Sequence, residues 1–493
     1  MSQPVPPQVQ QLGGSRKLTL IDAVAQSVGF MGPVFSVAFL VPLLVGLNAS
    51  GKGAGAAAPL SAALAAIGVL GLGWIVAEYA KRIHSAGSLY DYVTDGLGGR
   101  VGAAAGFLYY LAIIGLGAGL VVMIGGTIAD TLEAEFGNRL LPKTAWMLLT
   151  LVLLGVVMYL GVALSTRAQL TLALISITVV LIFSLTVIAK VGSGNQLGTA
   201  FSPSSSPQGL QGVLFGVLYG VLLFTGFETA ANLGEETENP KRDIPRAVLA
   251  SVLFVGGFYV ITIYAQMAGY HFNLDALGKN AGAPLFGLAG PAADGGFGSV
   301  FIRRLLELVV LLDMLALLIG IMVAGSRGLF AMGRDHRLPP VLGSVSSRQT
   351  PLVAGGVVMA VNLIVIALTT FWHGLFAMAG LPHYVAMFSW LSTLGSFSLA
   401  CIYLLMSIGA LRGLADHPKR WAVVLASTVG ILVTVAAIWG SVYQVAAPTI
   451  WAAWAGIGLL AVGFGLTYVF TGRATTVTTF DGLVEPDLGP QKL

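Results

Sequence analysis

The sequence predicts an all-α polytopic membrane protein with about 12 transmembrane helices, on three observations. First, 56% of the 493 residues are hydrophobic and only 9% are charged. A soluble domain carries roughly 25% charged residues because its surface meets water, so lipid must be the solvent for most of this chain. Second, apolar runs of the roughly 20 residues that one crossing needs recur from end to end. Third, the basic residues sort into alternate connections, roughly 18 on one side and about 7 on the other, a strong positive-inside bias.

The first 15 residues are polar and rich in Pro and Gln, and Arg16 and Lys17 lead directly into an apolar run. No short apolar core with a small-residue cleavage site precedes it, so a signal peptide is not expected. Spans are expected near 20–48, 56–81, 102–130, 144–164, 168–191 and 211–234, then 245–270, 301–330, 350–371, 383–411, 421–444 and 449–471. The stretch Ser85 to Arg100 reads as a surface helix, and Asn273 to Ser299, rich in Gly, Ala and Pro, as an outer loop with short helices. With the N-terminus on the basic side, an even number of spans puts both termini in the cytoplasm. A plasma membrane, bacterial inner if prokaryotic, is the expected location.

Several function classes drop out. The single cysteine, Cys401, rules out an intramolecular disulfide, and the six histidines show no metal-ligand spacing. No metal and no cofactor are expected. The net charge of +4 invites a nucleic-acid partner, but the basic residues are dispersed through loops where topology places them. An enzyme would need a nucleophile–base set or paired metal ligands at membrane depth, and a channel a pore loop with a carbonyl or charged ring. Neither is found.

Two spans carry interruptions. In the first, Gln26-Ser27-Val28-Gly29-Phe30-Met31-Gly32-Pro33 combines a missing backbone donor at Pro33 with glycines that ease unwinding. In the sixth, Phe224-Thr225-Gly226-Phe227-Glu228-Thr229-Ala230-Ala231-Asn232 places an ionisable group at membrane depth, so it is expected to face a cavity. Spans one and six correspond if spans one to five and six to ten are two repeats, and discontinuous helices at matched positions point to a midplane site. Half-helix N-termini offer N–H groups to a carboxylate and C-termini offer carbonyls to an ammonium, so an α-amino acid suits such a pair.

The segment Gly226-Phe227-Glu228-Thr229-Ala230, with Glu235-Glu236-Thr237-Glu238-Asn239-Pro240-Lys241-Arg242-Asp243-Ile244-Pro245-Arg246-Ala247, resembles the sixth-span signature of the amino acid–polyamine–organocation (APC) transporter superfamily. Ser85 to Tyr92 is similar to that family's loop after span two, and Ser326 to Asp335 with Leu338-Pro339 and Thr350-Pro351 to its span-eight-to-nine junction. The resemblance implies a leucine-transporter-type five-plus-five inverted repeat with spans 1 and 6 discontinuous and two further spans. Its divisions would be a tail at 1–17, repeats at 18–200 and 201–411, spans eleven and twelve at 412–472, and a tail at 473–493. It implies an amino acid permease working by alternating access, with an amine such as a polyamine as the alternative substrate. A non-transporting sensor or a subunit of a complex stays open as another class.

Carried over by position, the substrate site takes Ser27, Gly29, Met31 and Gly32 from span one and Phe224, Thr225, Gly226 and Phe227 from span six. Phe224 or Phe227 is the candidate aromatic lid, and Tyr110 and Tyr219 are candidate lining residues. Relatives that stack arginine carry a larger aromatic where this chain has Leu222. Glu228 and Asp313 are the carboxylates deepest in apolar sequence and the candidates for proton coupling. Glu307 has Arg303 four residues away as an ion-pair partner. Some proton-dependent relatives hold a span-five lysine where sodium would sit; alignment puts Ser176 there, and span eight has no Ser or Thr before Ser326. Proton coupling or exchange is therefore expected, with a small or neutral amino acid as substrate. Residues 235–246 are expected to form a salt-bridge cluster at the inner face, with Asn239-Pro240 ending one helix and Asp243 and Pro245 starting the next.

Overall fold

The computed structural model describes residues 12, 17–47, 51–160, 162–280, 282–346, 350–378, 381–443 and 445–470. Apart from Leu12 and Lys17, the two expected tails lie outside the described residues. In chain order the helices are α1 (Leu20–Met31), α2 (Pro33–Phe39), α3 (Val41–Val45), α4 (Ala58–Ala80), α5 (Leu89–Leu97), α6 (Gly99–Phe136), α7 (Lys143–Leu160), α8 (Val162–Val191) and α9 (Leu197–Ala200). There follow α10 (Gly209–Leu222), a 3-10 turn at Thr229–Leu233, α11 (Pro240–Gly269), α12 (Leu274–Gly278), α13 (Pro284–Ala289), α14 (Val300–Arg334), α15 (Leu352–Phe371), α16 (His383–Gly413), α17 (Arg420–Val442) and α18 (Ile450–Val469).

Among the described residues, 11 helices are long and apolar enough to cross a membrane, with α1 and α2 counted as one. The shorter apolar α10, continued by the turns to Leu233, completes the sixth position. The chain is a multi-pass integral membrane protein, as its composition requires. The periphery bears this out. Leu153 and Val156 of α7, Ile182 and Leu185 of α8, Ile364 of α15 and Leu432 of α17 are all at least half exposed, a surface that only lipid can cover. Trp421 and Tyr468 near one end of the bundle and Trp372 and Trp451 near the other stand where interfacial aromatics anchor a protein to its bilayer.

Three local expectations change. The stretch read as a surface helix is α5, whose Leu89, Tyr90, Asp91, Tyr92 and Val93 are all buried, packed between α6 and α16. The polar groups of Tyr90, Asp91 and Tyr92 face the protein rather than water, while Asp95 is exposed. Asn239-Pro240 opens a helix instead of closing one. Proline at the first helical position needs no donor, the Asp243 amide donates to the Asn239 carbonyl at 2.8 Å, and Pro245 falls inside α11. The connection after α11 does contain the short helices α12 and α13, and Arg303 pairs with Glu307 at 3.1 Å.

Candidate functional site

The first span is interrupted as its Gly and Pro residues suggest. Thr19 and Asp22 form a capping box that starts α1, with the Thr19 amide donating to Asp22 Oδ2 at 2.9 Å. The helix ends at Gly32, which adopts φ 53°, a left-handed conformation that glycine takes without a Cβ penalty. Pro33 then opens α2. The Val34 and Phe35 amides, the first donors of α2, both reach Asp313 Oδ2 of α14 at 2.9 and 2.8 Å. A side chain of the protein itself thus satisfies donors that the sequence reading reserved for a ligand.

The sixth span breaks where α10 ends at Leu222, and Gly226 takes φ 102°. The two breaks touch. A Cβ on Gly226 would lie 2.0 Å from Phe30 Cδ1. Ser27 Oγ donates to the Phe227 carbonyl at 2.7 Å and accepts from the Ala230 amide at 3.0 Å, while Thr229 Oγ1 contacts the Gln26 carbonyl at 3.3 Å. Polar side chains therefore replace the backbone ladder that each interruption forfeits, which is what unwound backbone at membrane depth requires.

Beside the paired breaks lies a cavity of about 290 Å³, near the lower end of the roughly 300–1,000 Å³ usual for small-molecule sites. Phe30, Met31, Phe35 and Ser36 supply its wall at the first break, and Tyr219, Leu222 and Thr225 at the sixth. Leu116, Leu317 and Phe388 come from α6, α14 and α16, with the hydroxyls of Ser392, Thr393 and Ser396 nearby. Among the described residues, no Asp, Glu, Lys, Arg or His lines it. The cavity extends past Leu40 and Leu43 to Tyr443, Val445 and Thr449 in the α17–α18 connection, away from the end of the bundle where α1 begins.

Of the predicted site residues, Met31 and Thr225 line this cavity and Gly32 forms the turn beside it. Ser27 and Gly226 lie behind the wall where the two breaks meet, and Gly29 faces Gln169 of α8. Phe224 packs edge-on against Tyr259 at 5.0 Å and Phe227 against Tyr403 at 5.4 Å, so neither ring reaches the cavity. Its aromatic wall is instead Phe30, Phe35, Tyr219 and Phe388. Tyr219 is a lining residue; Tyr110 donates to the Gly87 carbonyl at 2.6 Å, far from it in contact terms.

The two deep acids have different surroundings. Glu228 is fully buried, and both its oxygens accept from phenols, Tyr109 at 2.9 Å and Tyr403 at 2.6 Å. Asp313, equally buried, engages Oδ2 alone; Oδ1 has no hydrogen-bond partner among the described residues. Ser176 donates to the Leu172 and Val309 carbonyls at 2.8 and 2.7 Å. The α8 residue that meets span one is Gln169. A Cβ on Gly29 would lie 2.2 Å from its Cγ, and one on Gly320 2.4 Å from its Nε2. Gln26 Nε2 donates to the Gly320 carbonyl at 3.0 Å. No local signal marks Gln169, because a lone amide in an apolar run carries no pattern.

The end of the bundle where α1 begins is sealed. Arg327 of α14 forks onto Glu236 at 2.6 and 3.2 Å with 3% and 6% side-chain exposure, and Arg334 pairs with Glu235 at 2.8 Å. Glu235 also accepts from the Ala86 and Leu12 amides at 3.0 and 3.2 Å. Leu18 pairs with this segment in two backbone hydrogen bonds, donating to Glu236 and accepting from Glu238. Tyr90 donates to Asp335 at 3.2 Å. Burial and the neighbouring Asp335 push the Asp91 carboxyl up to about 8, and burial raises Asp335 as well against the pull of Arg334. The expected cluster is thus real for Glu235 and Glu236, with partners on α14, whereas Arg242 and Arg246 lie exposed on α11.

A sequence model of the amino acid permease family matches residues 18–461. The chain is 27% identical over 371 residues to a branched-chain amino acid permease of Lactococcus lactis, covering 71% of this chain and 75% of that one. It is 25% identical over 378 residues to a vacuolar cationic amino acid transporter of Arabidopsis thaliana, covering 72% and 58%. Among solved structures, a manganese transporter of Eremococcus coleocola shares the fold with a TM-score of 0.56 at 12% identity, over 91% of this chain and 94% of that one. The family is one of transporters rather than enzymes. With its spans, its paired breaks and a family match running from the start of span one into span twelve, this chain belongs to the amino acid permease family.

Proposed function

We propose that this permease carries neutral amino acids, aliphatic ones above all, through the cavity beside the two broken spans by alternating access. The observation that carries this reading is the lining of that cavity: aromatic and aliphatic side chains with hydroxyls, and no charged group. A second ammonium on lysine, or either end of a polyamine, would lose its hydration there without gaining a carboxylate, at a cost of several kcal/mol. An aliphatic side chain loses nothing by the transfer. The branched-chain permease among the relatives agrees with this choice. The termini lie in the cytoplasm of a plasma membrane on the positive-inside argument. The cavity then faces outward, and the ion pairs of Glu235 and Glu236 close the inner path.

Proton coupling would fall to Asp313 before Glu228. Tyr109 and Tyr403 donate to both oxygens of Glu228, so neither oxygen stands open to a proton. Asp313 keeps one oxygen without a partner, and a proton there weakens its hold on the Val34 and Phe35 amides, so proton uptake and the shape of the first break are linked.

Counterflow into liposomes preloaded with single amino acids or amines, at several pH values, tests the reading. Exchange of leucine, isoleucine or valine, with Asp313→Asn losing pH-dependent accumulation and Glu228→Gln retaining more of it, is expected. Exchange of lysine or putrescine alone removes the neutral-substrate claim. Normal pH-dependent accumulation in both variants removes the coupling claim, and no exchange of any solute points to a sensor.

A further inference from the structure

The cavity holds no charge, but its mouth does. Lys52 lies in the connection between α3 and α4, which is fastened on both sides. Gln208 Nε2 donates to the Gly51 carbonyl at 3.3 Å and Ser206 Oγ to the Gly53 carbonyl at 3.1 Å. The Lys52 ammonium sits 5.3 Å from the Phe215 ring centroid and 4.7 Å from that of Tyr443, and it approaches the Tyr443 hydroxyl at 3.4 Å. Trp439 stacks on Tyr443 at 4.3 Å and packs on Phe215 at 5.5 Å, so three rings from α10, α17 and its end form the seat for one cation. Tyr443 is itself part of the cavity wall.

This arrangement does more than hold a loop. A lysine on an ordinary loop swings free in solvent, and its field is averaged over many positions. Here the ring faces fix the ammonium beside the Tyr443 edge of the cavity, through the attraction that aromatic quadrupoles exert on cations. Any solute passing Tyr443 comes within about one Debye length, roughly 8 Å at physiological salt, of that charge. A zwitterion meets it with no net charge and can lead with its carboxylate. A cationic amino acid or a diamine carries net positive charge past it.

We infer that Lys52 is a specificity-determining residue, an electrostatic filter at the cavity mouth whose field disfavours cationic amino acids and amines in the cavity. This rests on the neutral-substrate reading above and adds a second, separable layer to it. The interior discriminates by desolvation, which salt does not change; the filter acts through a field at a wet mouth, which salt screens.

The test uses the purified full-length protein in detergent with radiolabelled leucine, competed by lysine and by norleucine, which has the lysine carbon chain without the ammonium. The ratio of the two half-inhibitory concentrations isolates the charge. Lys52→Gln should lower that ratio about fivefold, the effect of a unit charge acting across a partly hydrated mouth, and Lys52→Glu should lower it further. Lys52→Arg should keep it, and leucine affinity should stay within about twofold in all three. Raising ionic strength from about 0.02 to 0.5 M should shrink the wild-type ratio and leave that of Lys52→Gln unmoved, a readout on the wild type that needs no variant to fold. Leucine binding with a ratio insensitive both to salt and to Lys52→Gln and Lys52→Glu overturns the filter alone. Absence of leucine binding to the wild type overturns the neutral-substrate reading, and the filter with it.

Discussion

The two ends of the transport path are built from opposite materials. Toward the α17–α18 connection the path is a cavity lined by rings, aliphatic chains and hydroxyls, with no Asp, Glu, Lys, Arg or His among the described residues of its wall. Toward the start of α1 it is closed by Arg327–Glu236 and Arg334–Glu235, with Asp91, Asp335 and Tyr90 packed around them. Apolar walls have little preference between lipid and each other, so they part at little cost and readmit a solute. Charge pairs at low exposure hold firmly, because separating them leaves ions in a poorly hydrated site. On the proposed function, the difference separates the end that resists opening from the end that admits substrate.

The sharpest way to break the contrast is to remove one charge from the sealed end. Arg327→Ala strands Glu236 at 6% side-chain exposure, and stability should fall by about 3–5 kcal/mol, read as a lower melting temperature of the purified protein. Replacing both partners with Arg327→Met and Glu236→Leu should recover most of that loss, since no unpaired ion remains. Next comes the point where the two breaks meet. Gly226→Ala places a Cβ 2.0 Å from Phe30 Cδ1 at φ 102°, so uptake should drop by more than about tenfold. Near-normal uptake by that variant would mean the breaks are farther apart in the working protein.

Smaller effects come from the groups between the two ends. Tyr403→Phe removes a donor from buried Glu228 and should cost about 1.5–3 kcal/mol of stability. It should also displace the pH profile of uptake, which a purely packing role for the ring would not do. The sealed end should also carry a pH dependence. The Asp91 carboxyl, raised by burial to about 8 in the folded protein, lies well above its unfolded value near 4. The folded state therefore binds the extra proton, and its stabilising contribution is complete below about pH 4 and lost as pH rises through about 8. The melting temperature of the wild type should decline between about pH 5 and 8 and level off above that, and Asp91→Asn should flatten the decline.

Much of this fold was readable from residues alone, for reasons that also mark where reading stopped. Span positions followed from run length, and both breaks followed from Gly29, Gly32, Pro33 and Gly226, whose backbone chemistry acts locally. Glu235 and Glu236 announced a charged cluster, but their partners Arg334 and Arg327 stand 99 and 91 residues away, and no local pattern links them. The direction of Phe224 and Phe227 was not readable either. In a helix apolar on every face, hydrophobicity does not separate the side toward the cavity from the side toward Tyr259 or Tyr403. Lys52 was absorbed into the count of loop charges, because only the three-dimensional seat made by Phe215, Trp439 and Tyr443 distinguishes it from a topological lysine.

The central claim, that the uncharged cavity beside the two breaks holds a neutral amino acid, is tested most directly by placing a thiol in its wall. In a Cys401→Ala background, Thr393→Cys puts the only thiol among the cavity hydroxyls. Its alkylation by a water-soluble reagent should be slowed severalfold by leucine and left unchanged by lysine at the same concentration. Equal protection by both, or alkylation indifferent to leucine in a variant that still transports it, would contradict the account.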